Sequence, residues 1–316
     1  MDTTTNSNDD RIIQLLQNQL GVVWPLLEQD DVEEVMANPD GVIWTERFGH
    51  GLEATTHRLT AQQRESVIRI VASSNDDICD TSNPSVGAVL PGIQARFHGL
   101  IPPASPAPAF SIRRRASRIY TLSDYVDDAI MTAAQARVLT KACYERKNIL
   151  IIGGTGSGKT TLANALLAVI SETGDRILTL EDTAELQCSA PNHLAIYIQE
   201  PIGYTWQQAV KDSLRLRPDR IIVGEVRDGS ALDLLKAWNT GHNGGLATIH
   251  ANSAARGLTR LESLIREVSR SVPRDLIGSA IDVLVHITRT RTGRTIDEIL
   301  RIDGYRDGDY RLQNTS

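Results

Sequence analysis

Cysteine is scarce in this sequence, and its three residues, Cys79, Cys143 and Cys188, share no C-x-x-C spacing. That speaks against a disulfide framework and a cysteine-based zinc site, and it favours a reducing compartment. Aromatic residues make up only 4%, which argues against a channel that stacks nucleic-acid bases. Positive charge is not in excess either: 33 Lys and Arg stand against 39 Asp and Glu, a formal net charge of -6. A dedicated nucleic-acid binder would carry a basic footprint, so no direct sequence-specific nucleic-acid binding is expected. No apolar run reaches the ~18 residues a membrane span needs. The opening MDTTTNSNDD is polar and acidic, unlike a signal peptide. The expected location is cytoplasmic, with any membrane association peripheral.

What remains is a chain with 41% hydrophobic residues, and its 316 residues suffice for two domains of about 100–200 residues each. Residues 1–10 read as a disordered head. Ile12, Ile13, Leu15, Leu16 and Leu20 recur at helical spacing until Pro25 interrupts them. Up to residue 117, short apolar stretches such as VIW and FSI are broken by NPDG, FGHG, SNPS and IPPASPAPAF. This predicts a small α+β domain over 11–117, with a mobile loop near Pro102 to Pro108. After a linker at 118–127, the apolar strands NILII, RILTL, RIIVG and LATI alternate with helical patterns. Such alternation predicts a parallel sheet in an α/β domain over 128–316.

Gly153, Gly154, Thr155, Gly156, Ser157, Gly158, Lys159 and Thr160 fit G-x-x-x-x-G-K-[ST], with Thr161 following. The apolar strand Asn148 to Ile152 precedes the motif, and Leu162, Ala165, Leu166, Val169 and Ile170 form a helix face after it. In this context the glycines let backbone N–H groups wrap phosphates at the positive end of a helix. Lys159 would neutralise the β- and γ-phosphates of a bound nucleotide, and Thr160 would ligate Mg2+.

Ligands of a wound parallel sheet bind beyond the carboxyl ends of its strands. Here those ends are polar: Glu181 and Asp182 follow ILTL, Glu225 follows IIVG, and His250 closes LATIH. Glu225 is the candidate for polarising the attacking water, with a helix-capping acid as the plainer alternative. Glycine precedes it where the Walker B pattern has an Asp, so the metal ligands are drawn from Thr160, Glu181 and Glu225, with Asp182 a further choice through water. His250 is the candidate for sensing the γ-phosphate, although a lone histidine is more often structural. Gly241 and the pair Gly244 and Gly245, near His242, would allow close backbone approach.

Four segments together, GGTGSGKTT, ILTLEDTAEL, LRPDRIIVGEVRD and GHNGGLATIHAN, resemble the Walker A motif, Asp box, Walker B motif and His box of the traffic ATPases of type II and type IV secretion, pilus and conjugation systems. The tetracysteine zinc insertion of the type II branch is missing. The resemblance implies a RecA-like P-loop NTPase domain with a mainly parallel sheet, preceded by a smaller α+β, PAS-like domain. It implies an Mg-dependent ATPase, assembled as a homo-hexamer with ATP held between the two domains, at the cytoplasmic face of the inner membrane among inner-membrane components of the machine. Family members bring arginines from the N-terminal domain to the phosphates; in FSIRRR this makes Arg113 the first choice, with Arg96 second. A basic turn facing water is the plainer account of Arg113. Arg215 and Arg217 are open alternatives. The site residues expected to act in catalysis are therefore Lys159, Glu225, Glu181, His250 and Arg113. Against this stand a P-loop small-molecule kinase, a RecA-like nucleic-acid motor and a nucleotide-gated scaffold.

Overall fold

The computed structural model describes residues 3–47, 51–90, 93, 95–114, 119–290 and 293–315, the side chains of 3–9 and 201 excepted. Contacts divide the chain into two compact units, Met1–Arg118 and Ile119–Ser316.

The first unit begins with α1 (Thr3–Leu20), which starts inside the polar head, and a 3-10 segment, Gly21–Glu28. Then come β1 (Val32–Ala37), β2 (Val42–Arg47), β3 (Gly51–Arg58), α2 (Ala61–Ser74), β4 (Ser85–Leu90), β5 (Ala95–Leu100) and β6 (Ala109–Arg113). The strands form one antiparallel sheet in the order β3-β2-β1-β6-β5-β4. Thr60 and Gln63 form a capping box that starts α2, satisfying two of the helix's orphan N–H groups. Its Val67, Ile68 and Val71 then pack with Leu16 and Leu20 of α1 against Val35, Ile43, Phe97 and Ile112 of the sheet.

The segment 101–108 is anchored rather than mobile. Ile101 and Ser105 are buried, and the buried Arg64 donates through Nε to the carbonyl of Pro108 at 2.6 Å and through Nη2 to that of Pro39 at 2.8 Å. One guanidinium thus ties together loops distant in sequence.

The second unit opens with α3 (Leu122–Asp127) and α4 (Ala133–Tyr144). The stretch expected to be a linker therefore carries a helix, with a Thr121 and Asp124 capping box and buried Leu122 and Tyr125; residue 118 lies outside the described residues. Next come β7 (Ile149–Gly153), α5 (Lys159–Ser171), β8 (Ile177–Glu181), β9 (His193–Tyr197), α6 (Trp206–Ser213), β10 (Arg220–Val223), α7 (Ala231–Asn239) and β11 (Leu246–His250). The chain ends with α8 (Ala254–Arg266), α9 (Arg274–Ala280), β12 (Val283–Thr290), β13 (Gly293–Arg306) and β14 (Asp309–Asn314).

The strand order is β14-β13-β12-β7-β11-β10-β8-β9. Neighbours from β12 to β9 are parallel, and β13 and β14 add an antiparallel edge. The fold is RecA-like. Strands β7, β8 and β10 are buried along their whole length, as expected of Ile-, Leu- and Val-rich strands inside a parallel sheet covered on both faces.

The amino ends of these strands are locked structurally. Asn148 Oδ1 accepts the N–H groups of both Gly244 and Gly245 at 2.8 Å. A Cβ on Gly245 would stand 2.0 Å from Nε1 of Trp238, whose indole donates to Ile221 O at 3.2 Å. The glycine pair therefore serves packing at the amino end of β11, the end opposite His250. Buried Arg220 donates to Asp175 at 2.6 Å at the same end of the sheet. No helix among the described residues is long and apolar enough to cross a membrane.

Candidate functional site

The phosphate loop joins β7 to α5. Gly156 and Gly158 take φ of +69° and +94°, a backbone that L side chains rarely adopt, and Gly158 caps α5 in that conformation. The turn leaves the first N–H groups of α5 without intrahelical partners and adds the positive end of the helix dipole, together an anion cradle. Lys159, Thr160 and Thr161 form the first turn of α5. The Lys159 ammonium donates to the carbonyls of Gly153 at 3.1 Å and Gly154 at 2.9 Å. Ser157 is buried, and its Oγ has no hydrogen-bond partner.

The other predicted residues converge on this lysine. His250 ends β11 directly beside β7, in register with Gly153. Its Nδ1 lies 3.3 Å from Lys159 Nζ, and its Nε2 lies 2.8 Å from Glu225 Oε1. A neutral ring protonated on Nε2 satisfies both contacts, donating to Glu225 and accepting from Lys159. Partial burial and the Lys159 ammonium hold the His250 pKa below the usual imidazole value, against the pull of Glu225. Glu225, two residues beyond β10, also accepts from Arg227 Nη2 at 2.7 Å. Arg227 in turn pairs with Asp182, just beyond β8. Asp182, Arg227, Glu225, His250 and Lys159 therefore form one chain of polar contacts across the carboxyl ends of β8, β10, β11 and β7.

Glu181 takes a different place. It is buried, and its Oε2 accepts the N–H groups of Glu185 at 2.8 Å and Leu186 at 2.9 Å, so it organises the loop after β8. The glycine before Glu225 has a packing reason: a Cβ on Gly224 would stand 3.2 Å from Glu181 Cβ. His242 is separate, with Nδ1 3.3 Å from Ala237 O.

Arg113 lies on β6 in the first unit, exposed, and directly opposite Arg96 on β5 and Glu34 on β1. The two candidate arginines are thus cross-strand neighbours on one sheet. Arg215 and Arg217 precede β10 and sit at its amino end, the opposite end from Glu225. Within this unit they do not join the polar chain. Arg227 escaped the sequence reading although it stands in the EVRD segment. An arginine two residues after a strand-end carboxylate is the signal that marks it.

The family model described as type II/IV secretion system protein matches residues 18–302. The chain is 46% identical over 307 residues to the conjugal transfer protein TrbB of Rhizobium radiobacter, covering 96% of this chain and 94% of that protein. It is 28% identical over 344 residues to the type IV secretion system protein VirB11 of Bartonella henselae, covering 95% and 96%. The solved structure of the ATPase DotB of Legionella pneumophila shares the fold, with a TM-score of 0.63 at 20% identity, covering 87% of this chain and 78% of that one. With the motifs in register on a RecA-like sheet and the match extending through both units, the chain belongs to the family of type II/IV secretion system proteins, the traffic ATPases.

Proposed function

We propose that this protein hydrolyses ATP to ADP and phosphate in the presence of magnesium. As a homo-hexamer bound peripherally at the cytoplasmic face of the inner membrane, it would energise a type IV secretion or conjugal DNA-transfer apparatus. One observation carries the hydrolytic reading: Lys159, His250 and Glu225 contact one another in series at the phosphate loop.

Binding of the triphosphate draws Lys159 from the carbonyls of Gly153 and Gly154 to phosphate oxygens, while the N–H groups from Gly154 to Thr161 wrap the phosphates. His250, no longer accepting from the ammonium, can then turn its one N–H from Glu225 to a γ-phosphate oxygen. Glu225 orients the in-line water and takes up its developing positive charge. Arg227 keeps the Glu225 carboxylate aimed, and Glu181 holds the loop that carries Asp182 in place.

The residues present suit magnesium held mainly by phosphate and water. Thr160 stands in the first turn of α5 beside the N–H cradle, and one hydroxyl completed by phosphate and water oxygens is a donor set typical of Mg2+. Thr160 would hold it directly, with Glu181 and Glu225 reached through water. Bound there, the ion would neutralise charge on the β- and γ-phosphate oxygens. Arg113, with Arg96 opposite, would bring a planar fork of donors to the phosphates, the geometry suited to charge that develops in transfer.

Phosphate release from ATP tests this reading. Turnover should require Mg2+, stop with a chelator and fall in Lys159→Ala; equal turnover by that variant would overturn it. Native mass measurement with ATP should give a hexamer, and a persistent monomer would overturn the ring.

A further inference from the structure

Two arginines that the hydrolytic chain does not use stand against the phosphate loop on its far side. β12 flanks β7 on the edge opposite β11. Near its end it pairs with β13 so that Arg289 and Arg294 face each other directly across the antiparallel ladder. The Arg289 guanidinium reaches Gly156, where a Cβ would stand 3.6 Å from its Nη1. Arg294 lies along Gly158, where a Cβ would meet its Cδ at 2.9 Å and its Nε at 3.1 Å.

Two guanidinium groups and the positive end of α5 are thus gathered on one side of the loop. An anion bound among them would interact favourably with all three. A Cβ at 158 would press on the Arg294 side chain, whereas one at 156 would only touch Arg289.

Strand order then says which part of a nucleotide they would meet. Glu225 and His250 lie past β10 and β11, on one side of β7. The phosphate to be released must face them, so the triphosphate runs across the end of β7 with its α-phosphate and nucleoside toward β12. We propose that Arg289 and Arg294 form a cationic clamp on the α-phosphate of the bound nucleoside triphosphate, supplied by the same unit as the phosphate loop. This rests on the reading that the loop binds ATP. The α-phosphate keeps its charge through the reaction. The clamp therefore holds substrate, transition state and diphosphate product alike, and it acts on binding rather than on the chemical step.

The test compares the wild-type protein with the double variant Arg289→Gln, Arg294→Gln, measuring the Kd for ADP and the KM and kcat for ATP. The ADP Kd and the ATP KM should both rise about ten-fold or more, the scale of losing a charge-assisted hydrogen bond, with the fall in kcat/KM carried by KM. Unchanged ADP affinity, or a fall in kcat at constant KM, overturns the clamp. If circular dichroism shows the double variant unfolded, the exposed Arg289 replaced alone by Gln decides the matter by the same ADP measurement, and an unchanged Kd again overturns the clamp. A wild-type protein that binds no ADP would instead overturn the ATP reading, and the clamp with it.

Discussion

The two sheets of this chain carry their charge in opposite ways. In the eight-stranded sheet β7, β8 and β10 are buried from end to end. Its candidate site residues gather at the carboxyl ends, while the amino ends hold the hydrogen-bonded Asn148 and the Asp175 and Arg220 pair. In the six-stranded antiparallel sheet burial alternates, as in β5 and β6, and Arg96 and Arg113 stand on a wet face. A sheet covered by helices on both sides leaves only its ends for chemistry. A sheet with one open face can present charge at any position, so placement along a strand says little about role.

If amino ends are structural and carboxyl ends functional, two substitutions should separate cleanly. Asp175→Ala leaves the Arg220 guanidinium buried without its carboxylate and should cost about 3–5 kcal/mol of stability, read from urea unfolding, with ATP turnover per folded molecule retained. Lys159→Ala should do the reverse, lowering turnover by about 10²–10³ with little change in the unfolding midpoint. Equal losses of both kinds in both variants would break the comparison.

The antiparallel sheet is tested by Arg113→Gln. If that arginine meets phosphate, turnover should fall about ten-fold or more, the scale of one charge-assisted hydrogen bond, with the circular dichroism unchanged. Unaltered turnover would return it to the solvated face.

The smallest effect is on acid stability. Burial alone would raise the Asp175 pKa, but Arg220, Thr173 and Arg146 outweigh it and hold the carboxyl below its usual value. The unfolded chain therefore takes up this proton first. The stability that the pair contributes is fully present at neutral pH and is lost as pH falls below about 4. Replacing the pair by Asp175→Asn and Arg220→Gln should flatten that acid limb in urea midpoints measured from pH 5 down to about 3; an unchanged slope would assign the acid loss elsewhere.

These differences also explain what could be read from the sequence. Gly153 to Thr160 is legible because its chemistry is local: one strand, one turn and one helix start. Glu225, Glu181 and His250 follow from the strand-end rule, which needs only the run of apolar residues before each. That rule aims groups at one crevice without saying what they touch, so it did not distinguish Glu225, in contact with His250, from Glu181, turned into the loop at Glu185 and Leu186. Arg227 depends on β8 pairing with β10, which carries Asp182 to its side, and no local pattern encodes that pairing. The segment around Pro102 to Pro108 looks mobile by composition, yet it is tied down by Arg64 from a helix 44 residues away. Gly244 and Gly245 look suited to close backbone approach, and their place before β11 makes Asn148 and Trp238 the groups that approach. Local spacing identifies residues that act through their own backbone, and it misses those whose partners arrive by strand order.

The central claim is that the chain of contacts from Lys159 through His250 to Glu225 becomes a hydrolytic site when ATP binds. Phosphate release by Glu225→Gln, measured beside its ATP affinity, tests it most directly. The account predicts ATP binding close to that of the wild type, with release slowed by about 10²–10⁴, the usual contribution of a general base. Release at the wild-type rate would contradict it.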